Sequence, residues 1–185
     1  MERGDDVEGL QLVSIGTLPA GTLERLAVFL EPRIVGGCSA SNVVLDPEPA
    51  YDRLRGQVDC RLLFPVLESL AEKTHHRVLG VADVDLFSAI FTFVFGESHL
   101  GGKVAMMSLH RLRPENYGLP ADTELLCRRS EREALHEVGH LLGLVHCRTS
   151  DCAMRFSGSV EEVDLKPSRF CSECSAQLHD ATCGS

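Results

Sequence analysis

Residues 136–147 read HEVGHLLGLVHC, and this stretch decides the fold. The preceding run TELLCRRSEREAL contains no proline, so residues 123–143 read as one long helix stopped by Gly143. Positions four apart share a helix face, and His136 and His140 can therefore aim their imidazoles at one point. Glu137 is turned toward the same cleft, where it can hydrogen-bond a water instead of acting as a ligand. Glycine at 143 can take the left-handed conformation, end the helix and let the chain return His146 as a third nitrogen donor. Three imidazoles with a fourth position open suit a catalytic zinc ion. The bland alternative is a helix with two surface histidines and a third in a loop; it leaves Glu137 and Gly143 unexplained.

Directly after His146 comes a second constellation, Cys147, Cys152, Cys171 and Cys174, the last pair spaced C-x-x-C. Four thiolates make a closed tetrahedral site of the structural kind, with no position open to substrate. If the chain is extended at 146–147, neighbouring side chains point to opposite sides, and one dipeptide serves both sites. Reduced buried thiols or two disulfides are the alternatives. Cys183 is a spare that could stand in for Cys174. Cys38, Cys60 and Cys127 lack ligand spacing and read as packing residues. His75, His76, His99, His110 and His179 read as surface or loop histidines. The string GESHLGGK has the wrong glycine spacing for a phosphate-binding loop and lacks the following Ser or Thr, which excludes nucleotide binding there.

Working outward, LQLVSI reads as a strand and LERLAVFLE as a helix ended by Pro32. After the apolar IVGG, a polar stretch containing Pro47 and Pro49 reads as loop. CRLLFPVLESLAEK has helical spacing, with Pro65 near enough its start to be tolerated or to mark a kink. HRVLGVADVDLF, AIFTFVFG and KVAMMSLHRLR read as neighbouring strands. Strands alternating with helices early on, then a short connection before Lys103, predict a mixed sheet with an antiparallel edge strand. Beyond Gly143 periodicity fades, cysteines cluster and CSECSAQLHD can form only a short helix. The expected organisation is one domain over 1–185, an N-terminal part (1–143) carrying the active-site helix and a small cysteine-rich subdomain (144–185).

Length and composition agree: 185 residues, 44% hydrophobic and 24% charged, suffice for one core. The net charge of −9 opposes nucleic-acid binding. Fifteen of the 18 basic residues are arginine, compatible with a thermophilic or salt-adapted source. LFSAIFTFVF is far shorter than the about 20 apolar residues a membrane span needs. The start MERGDDVEGL carries acids where a secretory leader carries bases, which predicts a cytoplasmic protein. A monomer is expected.

With HEVGHLLGLVHC, Cys152, Met154 within CAM, and CSEC at 171–174, the chain resembles the archaemetzincin family of metzincin metalloproteases. The resemblance implies an α+β, zincin-like fold: a mixed twisted sheet whose antiparallel edge strand lies above a horizontal cleft, with the active-site helix below. It implies catalytic zinc on His136, His140 and His146, Glu137 as general base, a second zinc on Cys147, Cys152, Cys171 and Cys174, and Met154 as the Met-turn beneath the histidines. Substrate then lies extended along the edge strand, for which KVAMMSLHRLR is the expected segment. The spacing from Met154 to Cys171 is about one residue tighter than the family pattern, which a loop absorbs. No tyrosine follows Met154, so the metal and another donor must stabilise developing charge. The expected activity is zinc-dependent hydrolysis of short peptides or an aminopeptidase-like preference, since an acidic cytoplasmic protein without a pro-segment is an unsafe broad endopeptidase. The competing class is a zinc-stabilised peptide-binding or scaffold protein whose histidine site is empty or non-catalytic.

Overall fold

The computed structural model describes residues 8–183, with side chains through His179. The acidic opening MERGDDV and the side chain of Cys183 lie outside the described residues. In chain order the elements are β1 (Leu10–Ile15), α1 (Thr22–Leu30), β2 (Cys38–Leu45), β3 (Tyr51–Asp52), β4 (Gln57–Asp59), α2 (Cys60–Thr74) and β5 (Arg77–Ala82). There follow β6 (Leu86–Phe87), β7 (Gly96–Ser98), β8 (Val104–Ser108), α3 (Thr123–Leu141), α4 (Val160–Leu165) and α5 (Ser172–Cys183).

The main sheet has the order β2-β1-β5-β8-β7, with the first four strands parallel and β7 antiparallel to β8. The mixed sheet expected from the sequence is therefore present. Side-chain alternation sorts each strand between two cores. Leu79, Val81, Ala105 and Met107 pack with Leu26 and Leu30 of α1 and Leu135 and Val138 of α3. Val78, Ala82, Val104 and Met106 pack with Leu63 and Leu67 of α2. Strands buried on both faces read as near-continuous apolar runs, which is why β5 and β8 stand out in the sequence. A smaller sheet joins β3, β4 and β6.

α2 runs through Pro65 without ending. Pro65 is on the exposed face, where water can satisfy the carbonyl freed by its missing N–H. Asp59 caps the helix by accepting from the Arg61 amide at 3.0 Å.

Three expectations need correction. Residues 38–45, read within a loop stretch, form β2; as an edge strand with alternate residues exposed, CSASNVVL needs little apolar content. Residues 89–95, read as a strand, form only a bridge between Val94 and Leu86 before β7 begins at Gly96. Their run carries no alternation, and Ile90 is 83% exposed. The segment is instead held as a wall: Gln57 Nε2 donates to the Thr92 carbonyl at 2.9 Å, and the Arg111 guanidinium lies 4.0 Å over the Phe93 ring. Finally, KVAMMSLHRLR is not the edge. Its strand, β8, is wholly buried between β5 and β7, and the antiparallel edge strand is β7.

After α3 the chain builds a small separate core from Leu144, Cys152, Met154 and Cys174, with Phe170 and Leu178 packed against it. Arg129 of α3 ties α4 down, donating to both oxygens of Asp164 at 2.8 and 2.6 Å. Among the described residues, no helix is long and apolar enough to cross a membrane.

Candidate metal centre

α3 starts at Asp122, whose carboxylate accepts from the Leu125 amide at 2.9 Å. It ends as expected: Gly143 has φ of 91°, its amide bonds the His140 carbonyl at 2.9 Å, and the Leu144 amide bonds that of Gly139. The Gly101 amide, from the β7–β8 turn, also reaches the His140 carbonyl at 2.8 Å, so the sheet edge and the helix end are fastened together.

Chain reversal at Gly143 brings His146 back over the helix. Its ring stacks on that of His136, centroids 5.3 Å apart, and meets His140 edge-on at 4.9 Å. One ring nitrogen from each of His136, His140 and His146 lies within 4.8 Å of the others. His136 Nδ1 donates to the Ala153 carbonyl at 2.9 Å and His140 Nδ1 to the Leu144 carbonyl at 2.8 Å. Since carbonyls only accept, these contacts place each proton on Nδ1 and leave Nε2 with its lone pair. The two Nε2 atoms then face each other at 3.2 Å with no hydrogen between them. Burial holds both rings below the usual histidine range, opposing the proton that would relieve this contact. Two facing lone pairs repel each other, a cation between them relieves that repulsion, and three neutral imidazoles are a suitable donor set for zinc.

Glu137 is 4% exposed and lies across the same cleft, against β7. Its Oε2 accepts from the Ser98 hydroxyl. A Cβ at Gly96 would come within 2.5 Å of Oε1, so the carboxylate can sit here only because residue 96 has no side chain. Burial pushes the carboxyl up to about 8, with the Ser98 hydrogen bond pulling the other way. A cavity of about 460 Å³ joins the three histidines and Glu137 to β7, to the wall at 91–95 and to residues 156–158.

Met154 is fully buried and packs against α3 at Gly139, the residue before His140. Its Sδ fills the space where a side chain at Gly139 would go, and a Cβ there would also approach the Phe170 ring at 3.1 Å. Gly139→Ala is therefore expected to lower stability by about 1–3 kcal/mol through overpacking. Thermal unfolding checks this, and an unchanged midpoint would mean that Met154 is free to retreat.

The four cysteines also converge. Cys147 and Cys171 sulfurs are 3.9 Å apart, Cys152 and Cys174 3.7 Å, and all four lie within 4.8 Å. These separations are too long for disulfides and close to the roughly 3.8 Å edge of a tetrahedron with 2.3 Å metal–sulfur bonds. The Thr149 and Cys171 amides point at Cys147 and Cys152 sulfurs, both at 3.4 Å, as suits thiolate charge. The backbone amide of Cys174 pulls the Cys171 thiol down to about 7, whereas burial pushes Cys152 and Cys174 up. The Cys147 amide bonds the Met154 carbonyl at 2.9 Å, linking the two clusters.

Every sequence-predicted metal ligand thus falls in one of two clusters, and these are the only such groups among the described residues. Cys38, Cys60, Cys127, His75, His76, His99, His110 and His179 belong to neither. Sequence reasoning missed the roles of Gly96 and Ser98, which hold Glu137 from about 40 residues away and sit in FVFGES without a motif.

The family model described as Peptidase family M54 matches residues 41–180. An archaemetzincin of Methanocaldococcus jannaschii is 39% identical over 175 residues, spanning 92% of this chain and 96% of that protein. The crystal structure of archaemetzincin from Methanopyrus kandleri superposes with a TM-score of 0.80 at 33% identity, covering 95% of each chain. That of a zinc-dependent peptidase from Methanocorpusculum labreanum gives 0.74 at 30% identity, covering 92% of this chain and all of the other.

Proposed function

The chain belongs to peptidase family M54, the archaemetzincins, and is a zinc metallopeptidase; from that premise we propose that His136, His140 and His146 hold the catalytic zinc and that Glu137 is its general base. The observation that carries the assignment is the pair of facing Nε2 lone pairs of His136 and His140, 3.2 Å apart, with both Nδ1 protons committed to carbonyls. Zinc bound there supplies Lewis acidity, which acidifies water and polarises a scissile carbonyl. The histidines keep their lone pairs inward through the Ala153 and Leu144 carbonyls, and Met154, packed against Gly139 next to His140, is assigned as the apolar support of the site.

Glu137 takes a proton from water onto its carboxylate and returns it to the departing amine. Ser98 and the bare backbone of Gly96 fix where that carboxylate sits. Among the described residues β7 is paired on one side only, to β8, and Gly96–Ser98 line the cavity, so an extended peptide can add to this edge opposite the histidines. A cavity of about 460 Å³ accommodates a few residues, which supports short peptides as substrates.

A second, structural zinc on Cys147, Cys152, Cys171 and Cys174 completes the proposal, giving two ions per chain. One catalytic domain then spans 1–185, with 144–185 as its zinc-stabilised subdomain. Cysteines that form no disulfide, as these do not, persist in reducing compartments, which favours the cytoplasm.

The test is metal content per chain after purification without added metal or chelator, for wild type, His140→Ala and Cys171→Ser. Two zincs in wild type, with His140→Ala losing one and keeping the other, are expected. A single zinc unaffected by His140→Ala, with no hydrolysis after zinc is restored, would favour the scaffold reading.

A further inference from the structure

The cleft holds a buried cation for which hydrolysis as proposed has no use. Lys166 caps the end of α4 and lines the cavity beside His136, Glu137 and Glu133. Its side chain is 0% exposed and that of Glu133 3%. Nζ lies 2.7 Å from Glu133 Oε1, an ion-pair distance, yet the two are not aligned as a hydrogen bond, and both atoms are buried without a hydrogen-bond partner. The Ser157 hydroxyl, lining the same cavity, is also buried without one. A lysine that served only to neutralise Glu133 would be expected to align its N–H with the carboxylate, because an ion pair offsets its desolvation only with good geometry. Here an ammonium that faces Glu133 with at most one of its three N–H donors, and a hydroxyl without a partner among the described residues, line one cavity.

Glu133 lies on α3 three residues before His136 and four before Glu137, which puts its partner Lys166 beside the reacting centre, and Ser157 lines the same cavity. The mouth of the cavity is apolar, with Phe91, Leu100, Val145 and Phe156 exposed along it. Lys166 is the one lysine or arginine among the lining residues, beside Glu97, Glu133 and Glu137, so below the apolar mouth a ligand's anionic end has a single side-chain cation to bind.

We propose that Lys166 and Ser157 form a subsite for a carboxylate carried by the peptide next to its scissile bond, so that the enzyme prefers acidic peptides. The inference rests on the hydrolytic reading above. The ammonium is shielded from solvent in this structure, and the four-methylene arm of Lys166 swings from Glu133 toward the entering carboxylate to bind it. Glu133 is then a competing anion that holds Lys166 between turnovers. The carboxylate can belong to an acidic side chain or to the peptide's own C-terminus.

Matched peptides test this, each with an acidic residue or its amide beside the cleaved bond and with a free or amidated C-terminus. Wild type is expected to show a KM about tenfold lower for the carboxylate form, and the arm that shows it names the source. Lys166→Met should abolish the preference, whereas Glu133→Gln should strengthen it. Opposite shifts from the two halves of one ion pair are not produced by loss of structural support. Should Lys166→Met fail to fold with Glu133 unpaired, Lys166→Met/Glu133→Gln removes both charges and should likewise show no preference. Equal KM for acid and amide in wild type, or single variants shifting the preference the same way, would overturn the subsite. If the zinc-loaded protein cleaves no peptide of the set, the hydrolytic reading fails. Calorimetric binding of the same peptides still decides the subsite, since carboxylate-dependent binding lost in Lys166→Met supports it and its absence in wild type overturns it.

Discussion

Glu137→Gln is expected to reduce kcat on a peptide substrate by about a thousandfold or more while zinc content stays at the wild-type level. The expectation follows from how the carboxylate is held. Glu137 donates no ligand atom to the three-histidine cluster, so its loss leaves the metal's donor set intact. Glutamine has the same shape, fits beside the bare backbone of Gly96 and can still accept from Ser98 through its amide oxygen. What it cannot do is take a proton from water and return it to the leaving amine. Glu137→Ala tests the same chemistry with a cavity added, and should lose a similar share of activity together with some stability. The assay needs kcat, zinc per chain and the thermal midpoint measured together. Activity within a few-fold of wild type, at full zinc occupancy and unchanged midpoint, would remove Glu137 from the mechanism.

The reason this glutamate could be singled out in the sequence, while its supports could not, lies in sequence distance. His136, Glu137 and His140 are fixed by helix geometry over a single turn, and Gly143 returns His146 three residues later, so the whole set is local. Cys147 follows His146 directly, so the dipeptide shared by the two clusters is legible in the sequence alone. Ser98 and Gly96 reach Glu137 only because β7 runs antiparallel to β8 at the sheet edge. No period or motif announces that pairing, and apolar content pulled the expected strand back to 89–95, where Ile90 and Phe91 are in fact exposed. β2 was missed for the opposite reason. An edge strand needs little apolar material, and CSASNVVL obtains its backbone partners from β1. Lys166 escaped notice because one lysine in a charged stretch reads as solvated, and only the packing of α4 against α3 buries it beside Glu133.

Replacing Cys171 by Ser is expected to affect both metal sites, whereas His140→Ala affects one. Each structural zinc contributes on the order of 10 kcal/mol to folding of the segment it binds. Losing even half of that would lower the thermal midpoint by about 10–20 °C in a chain of this size. The small core around Leu144, Cys152, Met154 and Cys174 has too few apolar side chains to hold together unaided. Its loosening reaches the histidines by three routes. His146 is bonded in sequence to Cys147; the Cys147 amide is anchored on the Met154 carbonyl; and the Ala153 carbonyl, next to Cys152, fixes the tautomer of His136. Cys171→Ser should therefore lose the thiolate-bound zinc and weaken the histidine-bound one. The expected readouts are fewer than one zinc per chain and early proteolysis beyond residue 143. The coupling is reciprocal, but four thiolates hold their zinc with margin to spare, and α3 is packed against β7, β8 and α1 whether or not its histidines carry a metal. His140→Ala should keep one zinc and most of its thermal stability while losing activity. Should Cys171→Ser retain two zincs and the wild-type midpoint, the four thiolates would be packing residues and the histidine site would stand without their help.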